Sequence, residues 1–182
     1  MKALLDACVI YPTVMREMLL GAAGQGLFTP LWSDRILEEW ARAARKLGAD
    51  GETQARAEVA LTRAAWPQAC VTWKPSLEAR LWLPDQHDIH VLAAAVVGSA
   101  DVIVTVNAKD FPRNILAEEG LSRADPDEFL LGLYQANPDA LEHVATRVLQ
   151  QARDLSGEDW TLRALMKKAR LPRMGKALAH IQ

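Results

Sequence analysis

Short apolar runs alternate along this chain with longer stretches in which apolar residues recur every three or four positions. Residues 2–5 form one such run and stop at Asp6, the pattern of a buried strand with an acid at its carboxyl end. Val14, Met18, Leu19 and Ala22 keep helical spacing and predict a helix over 13–23, ended by Gly24 and Gly26. Residues 27–32 read as a second strand. Ser33 then suits an N-cap, with Leu37, Trp40 and Ala44 continuing one helical face. Gly48 and Gly51 bracket a turn before an Ala-rich helix from Glu52 to Ala65, ended by Pro67. Cys70-Val71-Thr72-Trp73 is β-branched and apolar, which predicts a third strand.

Residues 84–88 are polar, and the Ala-rich run after them predicts a closely packed helix. Gly98-Ser99-Ala100-Asp101 turns into Val102–Val106, the clearest buried strand in the sequence. From Asp127 onward the pattern is helical. Asp125-Pro126 and Asn137-Pro138 open two helices, Thr161 or Asp159 caps a third, and Leu171-Pro172-Arg173 breaks it before a last short helix. Strands alternating with helices predict an α/β fold with a parallel sheet over residues 1–125, followed by a helical extension over 126–182. Sites in such sheets form beyond the carboxyl ends of the strands, where strand order reverses. Asp6 and Asp110 both follow strands, so both can face one crevice.

Composition narrows the setting. The 182 residues are 50% hydrophobic and 24% charged, ordinary for a globular protein. Two cysteines, Cys8 and Cys70, make neither a disulfide framework nor a zinc pattern, which favours a reducing, cytoplasmic location. No apolar stretch reaches the length of a membrane span, and Asp6 comes too early for a signal core. Net charge is −2 but unevenly spread. Residues 1–142 hold 13 Lys+Arg against 20 Asp+Glu, and residues 143–182 hold 8 against 3. That basic end is either a solvated helical face or a docking surface for RNA or an acidic partner, with Arg163, Lys167, Lys168, Arg170, Arg173 and Lys176 as candidates.

Asp6, Glu39, Asp88 and Asp110 are the chemically informative positions. Crowded carboxylates repel and raise one another's pKa, a cost that a hard divalent cation removes. A haloacid-dehalogenase-like site would need a second aspartate where Cys8 stands. A receiver domain would need paired acids and a late lysine in a layout that is absent.

The ordered set Leu5-Asp6-Ala7-Cys8-Val9, Ser33–Trp40, Pro84–Ala95 and Val102–Pro112 resembles PIN-domain ribonucleases, of the kind typified by VapC-type toxins. The resemblance covers roughly residues 1–125. It implies a three-layer α/β/α fold with a central parallel sheet, and an acidic pocket that binds Mg²⁺ or Mn²⁺ and cuts RNA. Asp6 matches the first family acid, Glu39 the helical glutamate and Asp88 the acid before the Ala-rich helix. At the fourth position many members carry an acid where this chain has Asn107. Asp110, three residues on, matches a subgroup with an Asn-x-x-Asp-Phe ending. VapC-type relatives also imply an antitoxin partner and a homodimer. A PIN fold that holds RNA or a partner without cutting is the alternative.

Within that frame Asp6 and Asp88 are expected to ligate metal directly, with Glu39 and Asp110 orienting its water. Glu38 competes with Glu39, since neighbours on a helix point about 100° apart. Asp85 is a loop acid near the metal. Thr105 and Asn107 are expected to hydrogen-bond a ligand carboxylate or the scissile phosphate, and Arg16 to meet RNA phosphate. Asp101 reads as a turn cap, His90 as a structural histidine and Cys8 as a small buried residue. Trp32, Trp66, Trp73 and Trp82 suit core or interface better than base stacking.

Overall fold

In the computed structural model, which describes residues 1–48 and 50–181, four parallel strands lie in the order β2-β1-β3-β4. They are β1 (Lys2–Leu5), β2 (Thr29–Leu31), β3 (Val102–Val104) and β4 (Ser122–Ala124). The first helices along the chain are α1 (Ala7–Ile10), α2 (Thr13–Gly24), α3 (Asp34–Ala43), α4 (Gly51–Ala65), α5 (Pro75–Arg80), α6 (Ile89–Gly98) and α7 (Arg113–Glu118). Then come α8 (Pro126–Ala136), α9 (Pro138–Ser156), α10 (Leu162–Lys168) and α11 (Pro172–Ala177). Ala49, inside the expected Gly48–Gly51 turn, and Gln182, the last residue of the expected extension, lie outside the described residues.

β1 is flanked on both sides, with Leu4 opposite Leu31 in β2 and Ile103 in β3. Ala3, Leu4 and Leu5 are fully buried, which is why the run lacks polar alternation. The chain goes to one side of β1 for β2 and to the other for β3. The reversal opens a crevice beyond the carboxyl ends of β1 and β3. The sheet is flanked by helices in the α/β/α arrangement that the sequence predicts. Ser33 caps α3 as its sequence position suggests, its Oγ accepting the Ile36 N–H at 3.2 Å.

Two compact units divide the chain. One comprises Met1–Tyr11 with Thr29–Ala124, and the other Pro12–Phe28 with the residues from Asp125 onward. In the second unit α2 packs against α8 and α9. Gly21 makes the α2–α9 approach possible, because a Cβ there would lie 2.5 Å from Val144 Cγ1. Buried Asp127 accepts the backbone N–H groups of Arg173 at 2.8 Å and Met174 at 2.9 Å, so it satisfies the first turn of α11. Thr161, one of the two expected caps, starts α10 by accepting the Ala164 N–H. On the basic end, Lys168 Nζ sits over the Trp160 ring, 4.5 Å from its centroid.

Two expectations need correction. Cys70–Trp73 is not a strand: a single bridge, Trp32 to Cys70, forms instead. The Trp32 N–H reaches Ala69 O and the Val71 N–H reaches Trp32 O, and then Ser33 turns the opposing backbone into α3. No extended neighbour remains for residues 72–73, so β-propensity has nothing to pair with. β3 also ends at Val104, earlier than expected, although the Thr105 N–H still reaches Ala124 O at 3.1 Å; Val106 is exposed. Of the four tryptophans expected in core or interface, only Trp32 is core. Trp66 and Trp73 are half-buried, and Trp82 is 61% exposed between buried Leu81 and Leu83. β4 was not anticipated, because Ser122-Arg123-Ala124 carries no strand signature. It is an edge strand held by β3 alone.

Candidate active site

Asp6 follows β1 directly, and its backbone N–H continues the ladder to Val104 O at 3.2 Å. The sheet therefore fixes where its carboxylate stands. Asp6 is 8% exposed, and a buried carboxylate needs donors. Thr105 Oγ1 supplies one at 2.7 Å and the Cys8 thiol a second at 3.1 Å, both to Oδ2. The Thr105 hydroxyl in turn accepts the Asn107 N–H at 3.0 Å, and the Cys8 sulfur accepts the Val106 N–H at 3.4 Å. The expectation that Thr105 bonds a site carboxylate matches this contact. Cys8 does more than fill space. Burial, then the neighbouring Asp6 charge, pushes its thiol up to about 12, so it stays protonated and able to donate.

Asp85, Asp88 and Asp110 each offer a carboxylate oxygen, and the three oxygens lie within 4.8 Å of one another. Local backbone explains the first pair. Residues Gln86–Asp88 form one 3₁₀ turn, where positions i and i+3 fall on the same side. Asp85 caps that turn, accepting the His87 N–H at 2.8 Å. Asp110 is brought in by the turn after β3, its N–H bonding Asn107 O at 3.2 Å. Asp88 Oδ2 is buried and has no hydrogen-bond partner among the described residues. Burial, followed by the charges of Asp6, Asp85 and Asp110, raises the Asp88 carboxyl to about 6. Four acids thus share one electrostatic environment, with only the Asp6 carboxylate well supplied with donors. An all-oxygen donor set of this kind, with one orphaned lone-pair site, fits a hard divalent cation.

Glu39 stands apart from the three-carboxylate group. Its Oε1 lies 2.9 Å from Nε2 of His90 and 3.6 Å from Nε of Arg35. The phase question on α3 has a plain geometric answer: Glu38 turns away to Arg42 and Arg56, both at 2.8 Å. Arg16 is buried on α2 in the second unit, with Nε 3.7 Å from Glu17. Asp101 accepts the Lys2 N–H at 2.7 Å and serves the strand start, as its turn position suggests.

Asp85 was placed near the site from sequence but not in its centre. The available signal was its three-residue spacing from Asp88 across a Pro-initiated polar loop. Cys8 and His90 gave weaker signals, since nothing in their spacing marks a partner ninety-seven or fifty-one residues away.

A family model described as a PIN domain matches residues 2–109. A stretch of 44 residues is 52% identical to "Putative ribonuclease VapC50" of Mycobacterium tuberculosis. That stretch is 24% of this chain and 26% of the relative, so the chain spans about a quarter of the length of the curated protein it matches. No solved structure matches the chain.

Proposed function

The chain belongs to the PIN-domain family, and from that premise we propose that it is a metal-dependent endoribonuclease, the toxin of a toxin–antitoxin pair. The observation that carries this reading is the meeting of Asp85, Asp88 and Asp110 within 4.8 Å, beside Asp6, at the carboxyl ends of parallel strands. The partial likeness to a VapC-named ribonuclease supports the choice of RNA as substrate and of an antitoxin as partner.

Asp85, Asp88 and Asp110 would hold Mg²⁺ or Mn²⁺, with Asp6 contributing its charge from the adjoining strand end. Bound there, the cation supplies charge neutralisation at the scissile phosphate and acidifies water. The chain's own residues do the rest. Thr105 and Cys8 hold Asp6 fixed in direction by donating to one oxygen, which leaves the other for the site. Glu39 and Asp110 would orient the attacking water, and one of them would accept its proton. Asn107 offers its side-chain amide at the strand end as a donor toward phosphate. The protein is proposed to act in the cytoplasm and as a homodimer.

RNA cleavage by the purified chain tests the reading. Cleavage should require Mg²⁺ or Mn²⁺, and Asp88→Asn should lower it on the order of a hundredfold or more, several kcal/mol of barrier. Undiminished cleavage in EDTA would rule the mechanism out. Metal-independent RNA binding without cleavage would instead identify a binding module.

A further inference from the structure

We infer that His90 is a positioning residue that fixes the Glu39 carboxylate at the acidic site, an inference that rests on the nuclease reading above. Glu39, like Asp6, is a proposed site acid that the three-carboxylate group leaves out. It sits on α3, is 38% exposed, and lies at the end of a flexible side chain. A carboxylate that must act on a particular water needs a fixed direction, and half-exposed glutamates are not fixed by packing. His90 supplies what packing does not. It stands in the first turn of α6, two residues after Asp88, with its side chain fully buried. Burial leaves the ring few orientations, and its Nε2 lies 2.9 Å from Glu39 Oε1.

Three further observations single out this pair. Neither ring nitrogen of His90 has an aligned hydrogen bond among the described residues, and the Glu39 carboxylate stands 2.9 Å from Nε2. A buried imidazole with no other partner is costly to keep unless its one polar contact is useful. Arg35, the other cation at Glu39, stands farther off at 3.6 Å and also reaches Glu78 and the His87 carbonyl, so it does not fix one carboxylate direction. His90 also lies two residues after Asp88, the N-cap residue of α6. The start of α6 therefore carries both Asp88 and the ring beside Glu39, which links the α3 acid to the group that closes the 3₁₀ turn.

The test is a set of substitutions read by kinetics and by NMR. His90→Leu removes the donor and keeps the volume, whereas His90→Gln keeps an amide donor near the position of Nε2. His90→Leu should lower kcat for RNA cleavage about 10–100-fold with KM little changed, the size typical of groups that orient a site ligand. His90→Gln should recover much of that loss. Glu39→Gln should lower kcat similarly, and Glu39→Gln combined with His90→Leu should be no worse than Glu39→Gln alone. Losses that multiply in the double variant, or a His90→Leu protein with unchanged kcat, would overturn the inference. If the chain cleaves no RNA, the nuclease reading falls, and the pair is judged by imidazole ¹⁵N resonances instead. The His90 Nε2 signal should move in Glu39→Gln and on adding Mg²⁺, the latter response vanishing in Asp88→Asn. A His90 signal indifferent to Glu39→Gln would sink the pairing in either case.

Discussion

The Thr105 hydroxyl donates to Asp6 Oδ2 at 2.7 Å, joining the residue just beyond β3 to the residue just beyond β1. Two neighbouring strand ends are thus tied by their side chains at the point where the ladder stops. Both groups are buried, Thr105 at 3% exposure, so water cannot replace the bond cheaply. Thr105→Val keeps the shape and removes the donor. It should destabilise the fold by about 1–3 kcal/mol, the usual cost of removing a hydrogen bond to a buried polar group, even though the Cys8 thiol still donates to the same oxygen. For a chain of this length that corresponds to roughly 2–4 °C of melting temperature per kcal/mol. A thermal melt superimposable on the wild type would refute it.

Crowding at Asp88 predicts opposite effects with and without cation. Asp88→Asn removes one of the mutually repelling carboxylates, whose repulsion and burial hold Asp88 at about 6. In EDTA the variant should melt at or above the wild-type temperature. In millimolar Mg²⁺ or Mn²⁺ the wild type should gain stability as cation rises past its dissociation constant, and the variant should gain much less. Equal gains in both proteins would place cation binding elsewhere.

The acid limb of the stability curve should carry the signature of the α3–α4 charge network. Hydrogen bonds from Arg56 and Arg42 hold Glu38 down to about 2, and those from Arg45 and Arg56 hold Glu52 down to about 2. A depressed folded-state pKa contributes stability that is present above the ordinary value of 4.5 and lost as pH falls toward 2. Arg56→Met should therefore flatten the pH dependence of urea unfolding between about pH 4.5 and 2, lowering stability above that window and converging on the wild type toward pH 2, with a small amplitude because solvent screens these partly exposed groups. A parallel shift of the whole curve would contradict this.

Gly21 predicts a steric effect that runs against helix propensity. Replacing a mid-helix glycine by alanine ordinarily stabilises by up to about 1 kcal/mol. Here the new Cβ would meet Val144 Cγ1 at 2.5 Å, and valine has few other rotamers in a helix. Overpacking costs of about 1–3 kcal/mol should win, so Gly21→Ala should lower the melting temperature. Adding Val144→Ala should restore part of the loss. A stabilised Gly21→Ala protein would show that α2 and α9 can part without penalty.

Much of the frame was legible because it rests on periodicity and punctuation. The unbroken apolar runs ending at Asp6 and after Val102, and Ser33 before an amphipathic face, are local patterns with one physical meaning. The errors share a different cause. Cys70–Trp73 has strand-forming residues, but a strand needs an extended neighbour, and Ser33 removes it. Ser122–Ala124 has no such residues yet pairs, because β3 offers a free edge. At the site, the type of each acid was readable and its company was not. Asp85 joins the cluster through a 3₁₀ turn that the polar loop did not announce, and Glu39 meets His90 only through the packing of two distant helices.

The single 3₁₀ turn between Asp85 and Asp88 makes the loop a ruler of fixed length. At three residues per turn, each added or removed residue swings one carboxylate by about 120° relative to the other. Side-chain flexibility cannot absorb such a rotation for a residue as short as aspartate. Residues Gln86 and His87 are therefore free to vary in chemistry but not in number, and the chain's tolerance of insertions, ordinary for surface loops, ends at this segment.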